Sequence, residues 1–288
     1  MRADDFESTA SAIPPLRLEK TFYTIQTMDK LKNKAKATKR KTAIPLAAAD
    51  AVCIITGFDA FGLSKANPSE LVVETFPDIL KTTPDEDHKK PLELVVDKVY
   101  LETQGHKAWK TLKQKLDQTR KELDQAKSDA AIVLIMLGLA QNAVGLQLER
   151  FAINLRDYRI KDNSGEQIED KPIADKGPDL LRTIHDLRPI RDNVREAGYP
   201  CLISNHAGTF ICNELYYHAL TYQQKHDRIA ACLFVHLPHG KDFARLGKEA
   251  KSKSIQKKFA AATKKSAQIA LLRDGVAEVI ESVTKQIL

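Results

Sequence analysis

Five short apolar runs, rich in β-branched residues, alternate along this chain with longer stretches of helical spacing. The first, residues 51–56, reads Ala-Val-Cys-Ile-Ile-Thr and ends at Gly57. A continuous apolar run of this length suits a strand covered on both faces, followed by a tight turn. Residues 94–100, 131–137, 201–204 and 231–237 repeat the pattern. Helical spacing covers residues 69–80, 107–127, 179–197, 209–224 and 261–288, and Asn67-Pro68 supplies a polar cap and a first-turn proline for the earliest of these. Strands and helices at these intervals predict an α/β fold, a three-layer α/β/α sandwich around a mostly parallel, mixed sheet.

The alternation starts only near Ala51. Residues 1–48 carry Ser8, Thr9, Ser11, Pro14 and Pro15 and then a lysine-rich run, with no sustained apolar period. We therefore expect a basic, disordered N-terminal extension over 1–48 and a single α/β domain over 49–288. The formal net charge of +7 can be assigned to residues 30–41, which hold seven basic residues and no acid, while the rest of the chain balances. That run has no interleaved aromatics for base stacking and no amphipathic face for a membrane, so it reads as a solvated tail and no nucleic acid is expected. Met28 stays open as an alternative start. A second basic stretch, 241–258, reads as a surface loop or helix.

Cys53, Cys201, Cys212 and Cys232 form no C-x-x-C pair, which predicts neither a zinc site nor a disulfide framework and fits a reducing compartment. Asp4, Asp5 and Glu7 near the start argue against a secretory leader, and the longest apolar run, 130–140, is too short for a membrane-spanning helix. We expect a soluble, cytoplasmic protein with no membrane span, metal or cofactor.

Three places could carry chemistry. Gly57-Phe58-Asp59-Ala60-Phe61-Gly62 has the glycine spacing of a phosphate loop, but Leu63 stands where that loop needs lysine. Phe58 and Phe61 suit a flat apolar ligand better, unless they are simply core. Cys212 lies just after a strand end and a small turn, in the expected first turn of a helix, where unpaired N–H groups and the helix dipole favour a thiolate. A buried, inert cysteine is the competing reading. His236 ends the strand run 231–237, where open α/β sheets place their sites, and we expect it to meet Cys212 across one strand spacing. His206 and His239 are rivals for the same acid–base role. Glu149, in the alternating segment 147–154, should face inward with Arg150 on the other side, and could orient an imidazole unless it lies on an exposed strand.

These residues fall into blocks that strongly resemble the pyroglutamyl peptidase type I (pyrrolidone carboxyl peptidase) family of cysteine peptidases. The blocks are Thr56-Gly57-Phe58, Phe61-Gly62, Asn67-Pro68-Ser69, Leu148-Glu149-Arg150-Phe151-Ala152-Ile153-Asn154, Ala207-Gly208, Cys212-Asn213 and Phe234-Val235-His236-Leu237-Pro238, and they come in the family order. The resemblance implies an omega-type cysteine exopeptidase that removes N-terminal pyroglutamate through an acyl-enzyme. Residues 49–288 would be the catalytic domain, and N-terminally pyroglutamylated peptides the partners. It nominates Cys212 as nucleophile, His236 as acid–base and Glu149 as its orienting group. It also places Arg159 near the oxyanion region and Phe58, Phe61, Ile160, Phe210 and Ile211 along the ring pocket.

A pyroglutamyl end is uncharged, so an apolar slot accepts it while an ordinary ammonium end would cost several kcal/mol to bury unpaired. Ala60 stands where the family usually has proline and Leu63 where it often has glycine, which predicts a looser aromatic loop and weaker substrate affinity. Family members occur as monomers and as tetramers, which leaves a homo-oligomer open. The alternative is a catalytically silent relative that binds a partner through its basic extension.

Overall fold

The computed structural model of the chain describes residues 45–62, 66–239 and 243–288. The expected extension up to residue 44, the basic run 30–41, Met28 and Leu63 lie outside them. A 3-10 turn at Leu46–Ala48 precedes the first strand, and the Ser128 hydroxyl donates to the Leu46 carbonyl at 2.8 Å.

The chain continues through β1 (Ala51–Phe58), α1 (Pro68–Thr75), β2 (Ile79–Lys81), β3 (Glu93–Leu101), α2 (Gly105–Gln125) and β4 (Ala131–Ala140). Then come β5 (Leu146–Glu149), β6 (Phe151–Ile153), β7 (Leu180–Arg182), α3 (Leu187–Glu196), β8 (Cys201–Ser204) and α4 (Ile211–Gln223). The last elements are β9 (Ile229–Pro238), α5 (Phe243–Glu249), α6 (Lys253–Ala261) and α7 (Lys265–Ile287). Seven strands form one sheet in the order β2-β3-β1-β4-β9-β5-β8, and β6 pairs with β7 in a small second sheet. Pairing is parallel for β3/β1, β1/β4, β4/β9 and β5/β8, and antiparallel for β2/β3 and β9/β5. The sheet is thus mixed and mostly parallel, as expected.

Strand pleating sorts the core into two layers because successive side chains point to opposite faces. Cys53 and Ile55 of β1, Val133 and Ile135 of β4, and Leu233 and Val235 of β9 pack with Val72 of α1, Ile190 of α3 and Val279 of α7. The intervening residues Ile54, Leu134, Met136, Cys232 and Phe234 pack with Leu112 and Leu116 of α2 and Leu215 and Tyr216 of α4. Burying each large apolar side chain of this kind contributes about 1.5–3 kcal/mol, so the two layers supply most of the drive to fold. The site described below lies on the α2/α4 face.

Several elements differ from the sequence expectation. The helix expected over 69–80 stops at Thr75, because Pro77 holds Phe76 extended (ψ 144°), and Ile79–Lys81 joins the sheet edge instead. Of the helix expected over 179–197, only Leu187–Glu196 forms, capped by Asp186, whose carboxylate accepts from the Arg188 N–H at 3.1 Å. Before it, Leu181, Thr183 and His185 are buried while Leu180 and Ile184 are exposed, the period of a strand. The second basic stretch holds α5 and α6, whose Phe243 and Phe259 rings pack at 5.4 Å. Among the described residues, no helix is long and apolar enough to cross a membrane.

Candidate active site

Strand register brings the histidine and the carboxylate together. His236 of β9 is aligned with Gly138 of β4 on one side and with Gln147 of β5 on the other. Leu148 points into the opposite core layer, so Gln147 and Glu149 share the face of His236. Glu149 is buried, at 1% exposure, with Oε1 at 2.7 Å from His236 Nδ1. That contact occupies Nδ1 and leaves Nε2 for another partner. The Tyr216 hydroxyl donates to the Glu149 backbone carbonyl at 3.0 Å and holds this end of β5.

Cys212 arrives by a different route from the one expected. The strand before it, β8, lies at the sheet edge with β5 between it and β9, and both β5 and β8 run opposite to β9. Residues 205–210 therefore lead from the edge strand to the start of α4, where Cys212 is the second residue. Thr209 anchors that connection, its hydroxyl donating to the Asp157 carbonyl at 2.7 Å and its carbonyl accepting the Asp157 N–H at 3.1 Å. Buried Asn213 fastens the helix start: Oδ1 accepts the Ile153 N–H at 2.9 Å, and Nδ2 donates to the carbonyls of Ile153 and Leu155 at 2.8 and 3.0 Å.

The imidazole of His236 is hydrogen-bonded to both the Cys212 thiol and the Glu149 carboxylate. Burial alone would lower its pKa, but the hydrogen bonds and charges of Cys212 and Glu149 outweigh that and raise it to about 9. The group thus holds a proton through neutrality. Glu149 Oε2 is buried without a hydrogen-bond partner among the described residues, so the imidazolium is the carboxylate's main compensation. The rivals sit elsewhere. His206 is exposed, and its Nδ1 accepts the Gly208 N–H at 3.1 Å within its own loop, while His239 lies beyond the end of β9. Cys53, Cys201 and Cys232 are buried, whereas Cys212 is half-buried. Burial pushes the Cys201 thiol up to about 12 and raises Cys53 and Cys232 further. Among the described residues no group of three His, Cys, Asp or Glu side chains is arranged to hold a metal ion.

Gly138 interrupts the apolar run 130–140, and nothing in the sequence marks it as part of the site. A Cβ there would lie 2.9 Å from the Phe234 ring and 3.0 Å from Cys212 Sγ. The thiol thus occupies the space that a side chain on β4 would fill. We expect Gly138→Ala to keep the fold but to slow alkylation of Cys212 by iodoacetamide about tenfold, since the added methyl displaces the thiol from its hydrogen bond to His236. Circular dichroism with the alkylation rate tests this, and an unchanged rate would show that the close approach is irrelevant.

The six pocket candidates fall into three groups. Phe61 and Phe210 are half-buried, with ring centroids 5.3 Å apart. Phe58 and Ile211 belong to the buried core layer under α2 and α4. Arg159 and Ile160 lie exposed on the loop between β6 and β7, and Arg159 has no hydrogen-bond or ion-pair partner among the described residues. The aromatic loop is well tied despite Ala60. Asp59 Oδ1 accepts the Thr103 N–H and hydroxyl at 2.8 and 2.6 Å and Asn163 Nδ2 at 3.2 Å. Asn67 Nδ2 donates to the Asp59 carbonyl at 3.1 Å, and Asn163 Nδ2 to that of Ala60 at 3.0 Å. Burial raises the Asp59 pKa, partly offset by the Thr103 hydrogen bonds. Through Asn163 this one carboxyl joins the Phe58–Phe61 turn to the loop of Arg159 and Ile160.

Comparison with known proteins points to one family. The pyroglutamyl peptidase family model matches residues 51–272. Pyrrolidone-carboxylate peptidases of Bacillus cereus and Bacillus mycoides are each 31% identical over 186 residues, covering 64% of this chain and 77% of theirs. The solved structure of Bacillus amyloliquefaciens pyroglutamyl peptidase I shares the fold, with a TM-score of 0.60 at 23% identity over 82% of this chain and 97% of that one. Pyrrolidone carboxyl peptidase of Pyrococcus furiosus gives a TM-score of 0.60 at 26% identity over 82% of this chain and 100% of that one. With the match spanning β1 to the first third of α7, the chain belongs to the pyroglutamyl peptidase family.

Proposed function

We propose that the chain is a cysteine exopeptidase that removes N-terminal pyroglutamate from peptides, with residues 49–288 as its single catalytic domain. Family membership supports pyroglutamyl peptidase activity as a class. The residue roles rest above all on one observation, the Glu149–His236 contact of 2.7 Å on the same imidazole that is hydrogen-bonded to the half-buried thiol of Cys212.

In this reading the proton of the Cys212–His236 pair rests on the imidazole, and the Cys212 thiolate attacks the pyroglutamyl carbonyl carbon. The tetrahedral oxyanion forms next to the first turn of α4, where backbone N–H groups and the helix dipole favour negative charge. Arg159 is the side chain we assign to the same oxyanion. Collapse passes the proton from His236 to the leaving amine and leaves a thioester on Cys212. Water then attacks the thioester with His236 as base, which releases pyroglutamate and restores the Cys212–His236 pair with the proton on the ring. Glu149 holds the ring through Nδ1 and stabilises the imidazolium. Phe61 and Phe210 would take the uncharged lactam, and we assign Phe58, Ile160 and Ile211 to the same pocket. Its N–H and C=O would pair with backbone groups of the turn after β1, and an end lacking them would leave those groups unmet.

The test is fluorophore release from a pyroglutamyl aminocoumarin amide by the full-length protein under reducing conditions. Release that stops when iodoacetamide modifies Cys212 is the expected result. No release from a folded protein whose Cys212 still alkylates would sink the peptidase reading.

A further inference from the structure

One buried carboxyl near the nucleophile has no part in the chemistry above. Glu214 lies in the first turn of α4, two residues after Cys212, and is 3% exposed. It accepts a hydrogen bond from the Tyr158 hydroxyl. Tyr158 is buried on the loop that carries Arg159 and Ile160, fixed by its N–H to the Ile168 carbonyl at 2.7 Å and by Gln167 Nε2 on its own carbonyl at 2.9 Å. Its ring meets Phe210 edge-on with centroids 4.7 Å apart, and Phe210 in turn meets Phe61 at 5.3 Å. The room for this pair comes from the first residue of α2: a Cβ on Gly105 would lie 2.4 Å from the Tyr158 hydroxyl oxygen and 2.5 Å from Glu214 Oε2. His218 Nε2 is 3.9 Å from Glu214 Oε1, too far for a hydrogen bond, so the phenol is the carboxyl's one close partner among the described side chains.

A carboxyl buried this deeply costs free energy unless its partner is held in return. Fold stability alone would be served as well by two apolar side chains. What the pair adds is direction: a hydrogen bond fixes the ring of Tyr158 in angle as well as position, and the edge of that ring fixes Phe210. Phe210 is also the residue from which α4 starts. We propose that Glu214 and Tyr158 are positioning residues that set the width of the aromatic slot: the carboxyl holds the phenol, the phenol ring holds Phe210, and Phe210 with Phe61 closes on the lactam ring. The proposal rests on the peptidase reading given above.

Tyr158→Phe keeps the ring and removes the hydroxyl. It should raise KM for the pyroglutamyl amide about tenfold, the worth of one hydrogen bond to a carboxyl, while kcat stays within about twofold. Preference for the five-membered lactam over its six-membered homologue should fall, because a freed Phe210 widens the slot. Glu214→Leu should behave alike, and Glu214→Gln, whose amide oxygen still accepts, should regain most of the affinity. Unmoved KM and ring preference in Tyr158→Phe, or equal losses in Glu214→Gln and Glu214→Leu, would overturn the proposal. A fall in kcat with KM unchanged would do the same. If Tyr158→Phe or Glu214→Leu does not fold, the double variant Tyr158→Phe/Glu214→Leu, apolar at both positions, carries the same test. A second readout does not depend on turnover: 2-pyrrolidone should protect Cys212 from iodoacetamide, and about tenfold more of it should be needed in Tyr158→Phe. An inactive wild type that still shows this shift would sink the peptidase reading and uphold the pair, whereas an active wild type without the shift would sink the pair alone.

Discussion

Cys212→Ala is expected to abolish hydrolysis of a pyroglutamyl amide, with turnover about ten-thousandfold or more below the wild type. The expectation follows from the absence of a second usable thiol as much as from the position of this one. Cys53, Cys201 and Cys232 are buried, and burial raises all three thiols far above neutrality, so none can present a thiolate to substrate. Cys212 alone combines partial exposure with a hydrogen bond to His236. Alanine at the second position of α4 costs little, since Asn213 fastens the helix start independently through its bonds to Ile153 and Leu155. The variant should therefore fold normally by circular dichroism and lose only the chemistry. Residual turnover within tenfold of the wild type would place the nucleophile elsewhere.

The parts of this site that could be read from sequence are those carried by locally patterned segments. The runs ending near Thr56 and His236 are continuous and apolar because β1 and β9 are buried on both faces, so their positions were plain. The segment 147–154 alternates as a strand should, yet it serves two sheets: Glu149 ends β5 in the main sheet, and Phe151 begins β6 in the small one. Local periodicity cannot show that break, nor that β5 runs opposite to β9 and separates it from β8. The meeting of Cys212 and His236 was anticipated, but across one strand spacing, whereas the chain makes it from the sheet edge. Gly138 was invisible for a related reason. Its function depends on alignment with His236 across the β4/β9 pair and on the thiol above it, and neither is encoded within β4. Tyr158 and Glu214, 56 residues apart, meet only because the loop before β7 folds back over α4.

Glu149→Gln is expected to lower turnover by about a hundred- to ten-thousandfold and to move the alkaline limb of the pH–rate curve to lower pH. His236 holds its proton up to about pH 9 because the hydrogen bonds and charges of Cys212 and Glu149 outweigh the opposing effect of burial. In the proposed mechanism the protonated ring delivers a proton to the leaving amine, so activity should fall as pH rises through about 9 in the wild type. A glutamine at 149 can still accept from Nδ1, which preserves the ring's orientation, but it brings no negative charge. The imidazolium then loses one of its two stabilising partners while the burial that disfavours it remains, and its pKa falls. The limb should shift down by about one to two pH units, the usual effect of removing an adjacent opposite charge. Orientation and charge separate here. If Glu149 only fixes the ring, the glutamine variant keeps the wild-type limb and loses little turnover; if it stabilises the charged ring, both readouts move together. A limb that stays near 9 in Glu149→Gln would leave the Cys212 thiolate as the sole support of the imidazolium.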